Sequence, residues 1–290
     1  RRPEPCVPAS TFPRPRPFGA EPAPALEHDL GERPGNGHTM SEQLELIAYS
    51  APDRPDLNDE FVRQHELVLT ELGIPLVIKS DTRWTRDPQC YVIVAVHPSL
   101  GMVGGIRLQM DHGAEGRLPM LAAISGREPR IVPVLERLRS EGNGEVCGLW
   151  SASRYANKGV TVLLSKAVTA IAPQVGARRM VCFVGSHTRR HPERNGFVAM
   201  TEVGDLGEFD YPTPEFRSIA MINPDTILLP CTTMDQRQSI FSLRLRPDQV
   251  RVESPGRTSI EVHYQLILTK GLFDLVAYER ILEERLRHSA

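Results

Sequence analysis

The chain has 290 residues, 40% of them hydrophobic and 24% charged, with a formal net charge of −2, enough for one large or two small domains with a substantial core. Near-neutrality without a basic block removes the electrostatic footprint expected of a nucleic-acid or anionic-membrane binder. The apolar runs, such as YVIVAV (91–96) and GVTVLLSKAVTAIA (159–172), fall short of the about 18 residues of a membrane span, and no signal-peptide core follows the N-terminal arginines, so the cytoplasm is the expected compartment.

Residues 1–39 hold nine of the 25 prolines, including PRPRP at 13–17, and show neither apolar period. Missing backbone donors and few apolar side chains predict a disordered arm. Translation is expected to start at Met40, with a polyproline docking segment as the alternative. Beyond it, LELIAYS (44–50) alternates like a strand, and 58–73 places Phe61, His65, Val68 and Leu72 on one helical face before a glycine stop. CYVIVAVHP (90–98) and MVGGIRLQM (102–110) form a hairpin, 129–140 a helix, and EVCGLWSASR (145–154) a further strand. A long apolar helix at 159–174 precedes the strand 178–185, a short helix or turn near 187–194, a strand opening at NGFVAM, and FRSIAMIN (216–223). IFSLRLR (240–246) and 258–268 read as strands, and 271–288 as an amphipathic helix with the stripe Leu272, Leu275, Ile281, Leu282 and Leu286.

Hairpins interrupted by a few helices around one strand–turn–helix–strand unit predict an α+β fold with a mixed, mostly antiparallel sheet flanked by helices. The expected organisation is an arm over 1–39, a main domain over 40–225, and a strand–strand–helix extension over 226–290 that packs on the same domain or serves a homodimer. Cys6, Cys90, Cys147, Cys182 and Cys231 are odd in number and lack a CxxC pair, which predicts small core residues and no disulfide framework. HTRRH (187–191) sets two histidines at i, i+4 but has no glutamate after the first and a proline after the second, so no metal is expected.

The turn in LWSASRYANKG (149–159) offers the free N–H groups of a helix start, together with Lys158 and Gly159, to an anion such as a pyrophosphate. In order, the GGIRL strand (104–108), a helix, the strand ending at this turn, the long helix, the next strand and ERNGF (193–197) resemble the GNAT acyl-CoA N-acyltransferases. The nearer likeness, over about residues 44 to 223, is to the acyl-homoserine-lactone synthases and N-acyl amino acid synthases. It is carried by GGIRL, by Trp150, Ser153, Arg154 and Tyr155 in the later strand, and by His65, Leu72 and Gly73 in the first helix. The sequence departs from that pattern at Gln64, Val68, Ile74 and Ser151, where the synthases carry arginine, an aromatic, tryptophan and glutamate. Those positions help hold S-adenosylmethionine, so another amine is expected here.

The resemblance implies an N-acyltransferase taking an acyl group from acyl-CoA or acyl carrier protein, with no permanently bound cofactor, to the amine of an amino-acid-like acceptor. A GNAT-like binding module without turnover is the alternative. Amide formation needs a polarised carbonyl and an acceptor for the departing proton. Glu145, Ser151 and Ser153 are the catalytic candidates, with the oxyanion donors expected near Trp150 to Ser153. Trp150, Arg154, Lys158, Gly159, Arg189 and Arg190 are candidates for the cofactor, and Asp87, Arg107 and Glu202 for the acceptor. A buried Arg107 would require an anionic partner, structural or substrate-borne. Leu149 and Met180 are expected to line the acyl tunnel.

Overall fold

In the computed structural model, which describes residues 42–73, 81–113, 118–256, 259–268, 280–281 and 283–287, the alternating N-terminal run is strand β1 (Glu42–Ser50). Leu44 and Leu46 point into the core, while Gln43 and Glu45 lie on the solvent face. Proline at the first turn starts helix α1 (Pro55–Glu71), where its missing N–H costs no hydrogen bond. The predicted hairpin is β2 (Cys90–His97) and β3 (Gly101–Met110), followed by α2 (Pro119–Ile124), α3 (Ile131–Arg139) and β4 (Asn143–Ser151). Then come α4 (Val160–Ile171), β5 (Arg179–Gly185), α5 (Arg190–Arg194), β6 (Val198–Ala199), β7 (Glu208–Asp210) and β8 (Arg217–Asn223). Helix α6 (Met234–Leu245), β9 (Asp248–Glu253) and β10 (Ile260–Gln265) complete the named elements.

The strands form one sheet in the order β6-β8-β5-β4-β3-β2-β1-β10-β9, with β7 also paired to β8. Only β1–β10 and β4–β5 run parallel. One face packs against α4 and α6 around Leu46, Ile93, Ile106, Leu108, Met180 and Tyr264. The other face carries two separate apolar clusters: Phe61, Trp84, Val92 and Trp150 under α1, and Ile124, Leu135, Val181 and Ala220 under α2 and α3. The seam between these clusters falls on β3 and β4.

Two expectations are corrected. Residues 240–246 are helical, not a strand: Arg237, Ile240, Phe241 and Leu243 are buried, and the apolar alternation of IFSLRLR coincides with the buried flank of α6. Its neighbour DQVRVE, given no element from sequence, is strand β9, so the extension reads helix, strand, strand before the residues at 280–287. Likewise Cys231 is disulfide-bonded, whereas Cys90, Cys147 and Cys182 carry free thiols. The arm at 1–39, Ile74 and most of 271–288 lie outside the described residues. Of the C-terminal stripe, Ile281 is buried and Leu286 exposed.

The paired glycines of GGIRL have a packing cause. A Cβ on Gly105 would stand 2.4 Å from the Phe61 ring, and one on Gly104 2.6 Å from Val160, so α1 and α4 clamp β3 at backbone distance from both faces. Gly105→Ala should therefore cost about 1–3 kcal/mol, as overpacking of a tight core does. Urea unfolding would register this as a lower midpoint at unchanged slope, and an unshifted midpoint would show that α1 is free to give way.

Candidate active site

Strands β4 and β5 pair only at Asn143–Arg179, Gly144–Met180 and Glu145–Val181, yet β4 continues to Ser151 and β5 to Gly185. From Val146 onward the two parallel strands have separated. Against β3, the register jumps between Gly105–Trp150 and Arg107–Cys147, so β4 carries one extra residue. Gly148 lies at that bulge with φ +59°, the left-handed region that glycine enters without strain. The bulge resets the alternation of β4: Val146 and Leu149 both pack toward α4, while Trp150 packs under α1. A strand bent here and unpaired on its β5 side turns backbone polar groups into a gap, an arrangement able to hold a carbonyl.

Around the bulge stand side chains from three further elements. Phe61 of α1 makes edge contacts with Trp84 at 5.5 Å and Trp150 at 5.7 Å. Arg107 lays its guanidinium over Trp84, 5.0 Å from the ring centre. Its Nε lies 3.4 Å, and the Phe61 Cζ 3.6 Å, from the place a Cβ on Gly148 would take. Among the described residues no carboxylate forms an ion pair with Arg107; Glu145 acts on it only through space, and its near neighbours are the thiols of Cys90 and Cys147. The guanidinium is thus a half-buried cation with an aromatic platform and no ion-pair partner among the described residues.

Glu145 lies at the last paired position of β4, 2% exposed, and accepts the Met120 N–H at 2.8 and 3.0 Å, which caps the start of α2. Burial pushes its carboxyl up to about 8, against the opposing pull of Met120 N–H and Arg107. It is therefore a protonated structural group near neutrality. Because the folded pKa lies above the unfolded one, stability is greatest below the carboxylate range and falls as pH rises through about 8. Glu145→Gln keeps an oxygen for Met120 and should flatten that decline, being more stable than wild type at alkaline pH by on the order of a few kcal/mol. Urea midpoints on the acid and alkaline sides measure this; equal declines in both proteins would contradict it.

The other predicted residues are dispersed. Asp87 is enclosed: its Oδ1 accepts Gln89 N–H at 2.8 Å, and its Oδ2 meets Gln109 Nε2 at 2.6 Å and His112 Nε2 at 3.0 Å. Burial alone would raise its carboxyl, but these bonds, His112 foremost, hold it below the usual range. Ser153 donates to Glu71 of α1. Arg154 donates to Gln64 Oε1 at 3.1 Å and to Met102 O at 2.6 Å, so it clamps α1 to β3, with Gln64 as its acceptor. Trp150 is buried with an unpartnered Nε1, and Ser151, opposite Gly104, is half-buried. Glu202 is exposed and pairs with Arg137 of α3, away from the bulge. Met180 is fully buried within the paired part of β5, and Leu149 is half-buried beside the splay.

At the turn itself, Gly159 (φ +76°) precedes α4, whose first turn has no side-chain cap. Pro255, in the turn between β9 and β10, would touch a Cβ there at 2.6 Å, so glycine is also required by this contact. Lys158 pairs with Glu42 at 2.9 Å, and Arg189 with Glu193 at 2.8 Å, whereas Ala156, Asn157 and Arg190 are exposed. His187 is exposed and His191 half-buried; among the described residues no three His, Cys, Asp or Glu side chains gather as a metal site.

One group beside Phe61 was not a catalytic candidate from sequence, although the sequence places it on the Phe61 face. His65 follows Phe61 by one helical turn, its ring 5.9 Å from Phe61, and burial together with the Arg107 charge lowers its imidazole to about 4. The available signal was its place on the Phe61 face of α1.

No family model matches the chain, and no curated protein matches its sequence. Among solved structures, FeeM, an N-acyl amino acid synthase from uncultured soil microbes, superposes with a TM-score of 0.52 at 16% identity, over 68% of this chain and 98% of FeeM. BjaI, a CoA-dependent acyl-homoserine lactone synthase, gives 0.45 at 15% identity, over 83% of this chain and 99% of its own. An acyl-CoA N-acyltransferase from Pseudomonas aeruginosa gives 0.43 at 16%, over 62% and 99%. The chain shares the fold of FeeM, with the mixed, mostly antiparallel sheet expected. No helix among the described residues is long and apolar enough to cross a membrane.

Proposed function

We propose that this chain is an N-acyltransferase that moves an acyl group from acyl-CoA, or from an acyl carrier protein, to the amine of a small, amino-acid-like acceptor bearing a carboxylate. The observation that carries the reading is the separation of β4 from β5 beyond Glu145, with a glycine bulge facing the gap. Backbone N–H groups of the bulged segment would polarise the thioester carbonyl and take up the charge of the tetrahedral intermediate. Such preorganised donors are commonly the largest electrostatic contribution to acyl transfer. Leu149 would meet the acyl chain. The donor's phosphates would approach the uncapped start of α4 over the exposed Ala156–Asn157 side of the turn.

The acceptor side follows from Arg107, whose guanidinium suits a carboxylate and whose position beside the bulge would bring the acceptor's amine to the carbonyl. A binding module without turnover is favoured by one feature, the contact of Pro255 with Gly159, which narrows the turn. Incubation with acyl-CoAs of graded length and a panel of L-amino acids tests both readings. Release of free thiol only when donor and amine are both present supports transfer. Donor binding in calorimetry with no thiol release supports the module, and neither signal, with CoA or carrier-protein thioesters, refutes both.

A further inference from the structure

We infer that His65 is the group that takes the proton from the attacking amine, and that binding of the acceptor's carboxylate at Arg107 readies it to do so. This rests on the acyl-transfer reading above. Helix α1, β3 and β4 converge on the bulge: Phe61 touches the Gly148 position, Arg107 flanks it from β3, and His65 stands one turn along α1 beside Phe61. No described residue forms a hydrogen bond with either ring nitrogen of His65, which leaves the imidazole free for a ligand.

The competing proton acceptors are engaged elsewhere. Glu145 holds its own proton under the Met120 N–H, Asp87 is saturated by Gln89, Gln109 and His112, and Glu202 is paired with Arg137 on another face. Ser153 is tied to Glu71, and burial keeps the Cys147 thiol protonated. The charged groups that act on His65 are Arg107 of β3 and Glu66 on its own helix. After burial, the Arg107 charge is the largest influence on its imidazole.

The reaction balances without a co-reactant. The amine nitrogen forms the C–N bond to the thioester carbonyl carbon, whose oxygen takes the electron pair. The proton shed by that nitrogen passes to the free ring nitrogen of His65. Collapse restores C=O and breaks C–S; the departing thiolate then takes the proton from His65, giving amide and free thiol. In the empty protein the nearby guanidinium opposes protonation of the imidazole. A carboxylate on Arg107 neutralises that charge, so the base gains strength only when an acceptor is in place.

Two measurements on the full chain test this. NMR titration of the ring-labelled histidines, with His65 assigned by comparison with His65→Gln, should place its midpoint near 4 in chloride. Propionate should raise that midpoint by about one unit, and the rise should vanish in Arg107→Leu. An unmoved midpoint in propionate overturns the inference. In thiol-release kinetics with acyl-CoA and the L-amino acid panel, His65→Gln, checked for native circular dichroism, should lower kcat about 10²- to 10⁴-fold with little change in acceptor KM. Wild-type kcat in His65→Gln overturns the inference while leaving the acyl-transfer reading intact; no release by the wild type refutes that reading and the inference with it.

Discussion

Arg107→Leu is expected to raise the acceptor KM by roughly 30- to several-thousand-fold, matching the about 2–5 kcal/mol lost when one partner of a desolvated charge pair is removed. A guanidinium over the Trp84 ring, partly withdrawn from water, is met by two thiols and by Glu145 through space and has no ion-pair partner among the described residues. An acceptor carboxylate would provide that partner, so its binding energy concentrates at this residue. Leucine should leave the fold intact, since no ion pair among the described residues is lost with Arg107. Arg107→Lys should recover little, because an ammonium neither stacks on Trp84 nor forms a two-toothed pair. Thiol release measured against acceptor concentration reads the effect, and an unchanged KM in Arg107→Leu would sink the assignment.

Lys166→Met should weaken the packing of β9 on α4 by up to about 3 kcal/mol, the low end for a broken buried pair because Arg251 stays beside Glu253. Lys166 of α4 is 4% exposed and meets Glu253 of β9 at 2.7 Å; Glu253 also accepts from Tyr264 Oη at 3.0 Å. Methionine would leave the Glu253 carboxylate with only the longer Arg251 contact at 3.4 Å and the Tyr264 hydroxyl to offset its burial. Adding Glu253→Leu removes that charge, so the double variant should recover much of the loss. Urea denaturation of the two single variants and the double completes the cycle; additive losses would show that the pair is not coupled. The consequence reaches the turn as well, because the β9–β10 connection that Glu253 anchors carries Pro255 onto Gly159.

The sequence was most legible where periodicity is unambiguous. The β2–β3 hairpin, α4 and β5 follow from apolar runs bounded by turn residues, and their order pointed to the fold. The span 240–246 misled because IFSLRLR alternates like a strand, while its burial follows Arg237, Ile240 and Phe241 around a helix. Gly148 reads in the sequence as part of an ordinary strand, and only pairing with β3 shows that it resets the inward face of β4. The site was less legible because its character depends on long-range partners. Asp87 and Glu145 look alike as acids beside strands; Gln109 and His112 keep the first ionised, and the apolar surroundings and Met120 keep the second protonated. His65 acquires meaning only from Arg107, on another element more than forty positions away.

The central claim is that the thioester enters the gap between β4 and β5 and sets its carbonyl against the Gly148 bulge. A crystal structure with CoA or a non-hydrolysable acyl-CoA soaked in tests it most directly. The account predicts density for the pantetheine arm running between the splayed ends of the two strands, with the thioester position beside Gly148 and the phosphates at the start of α4. A ligand bound elsewhere, with the gap closed by side chains, would contradict it.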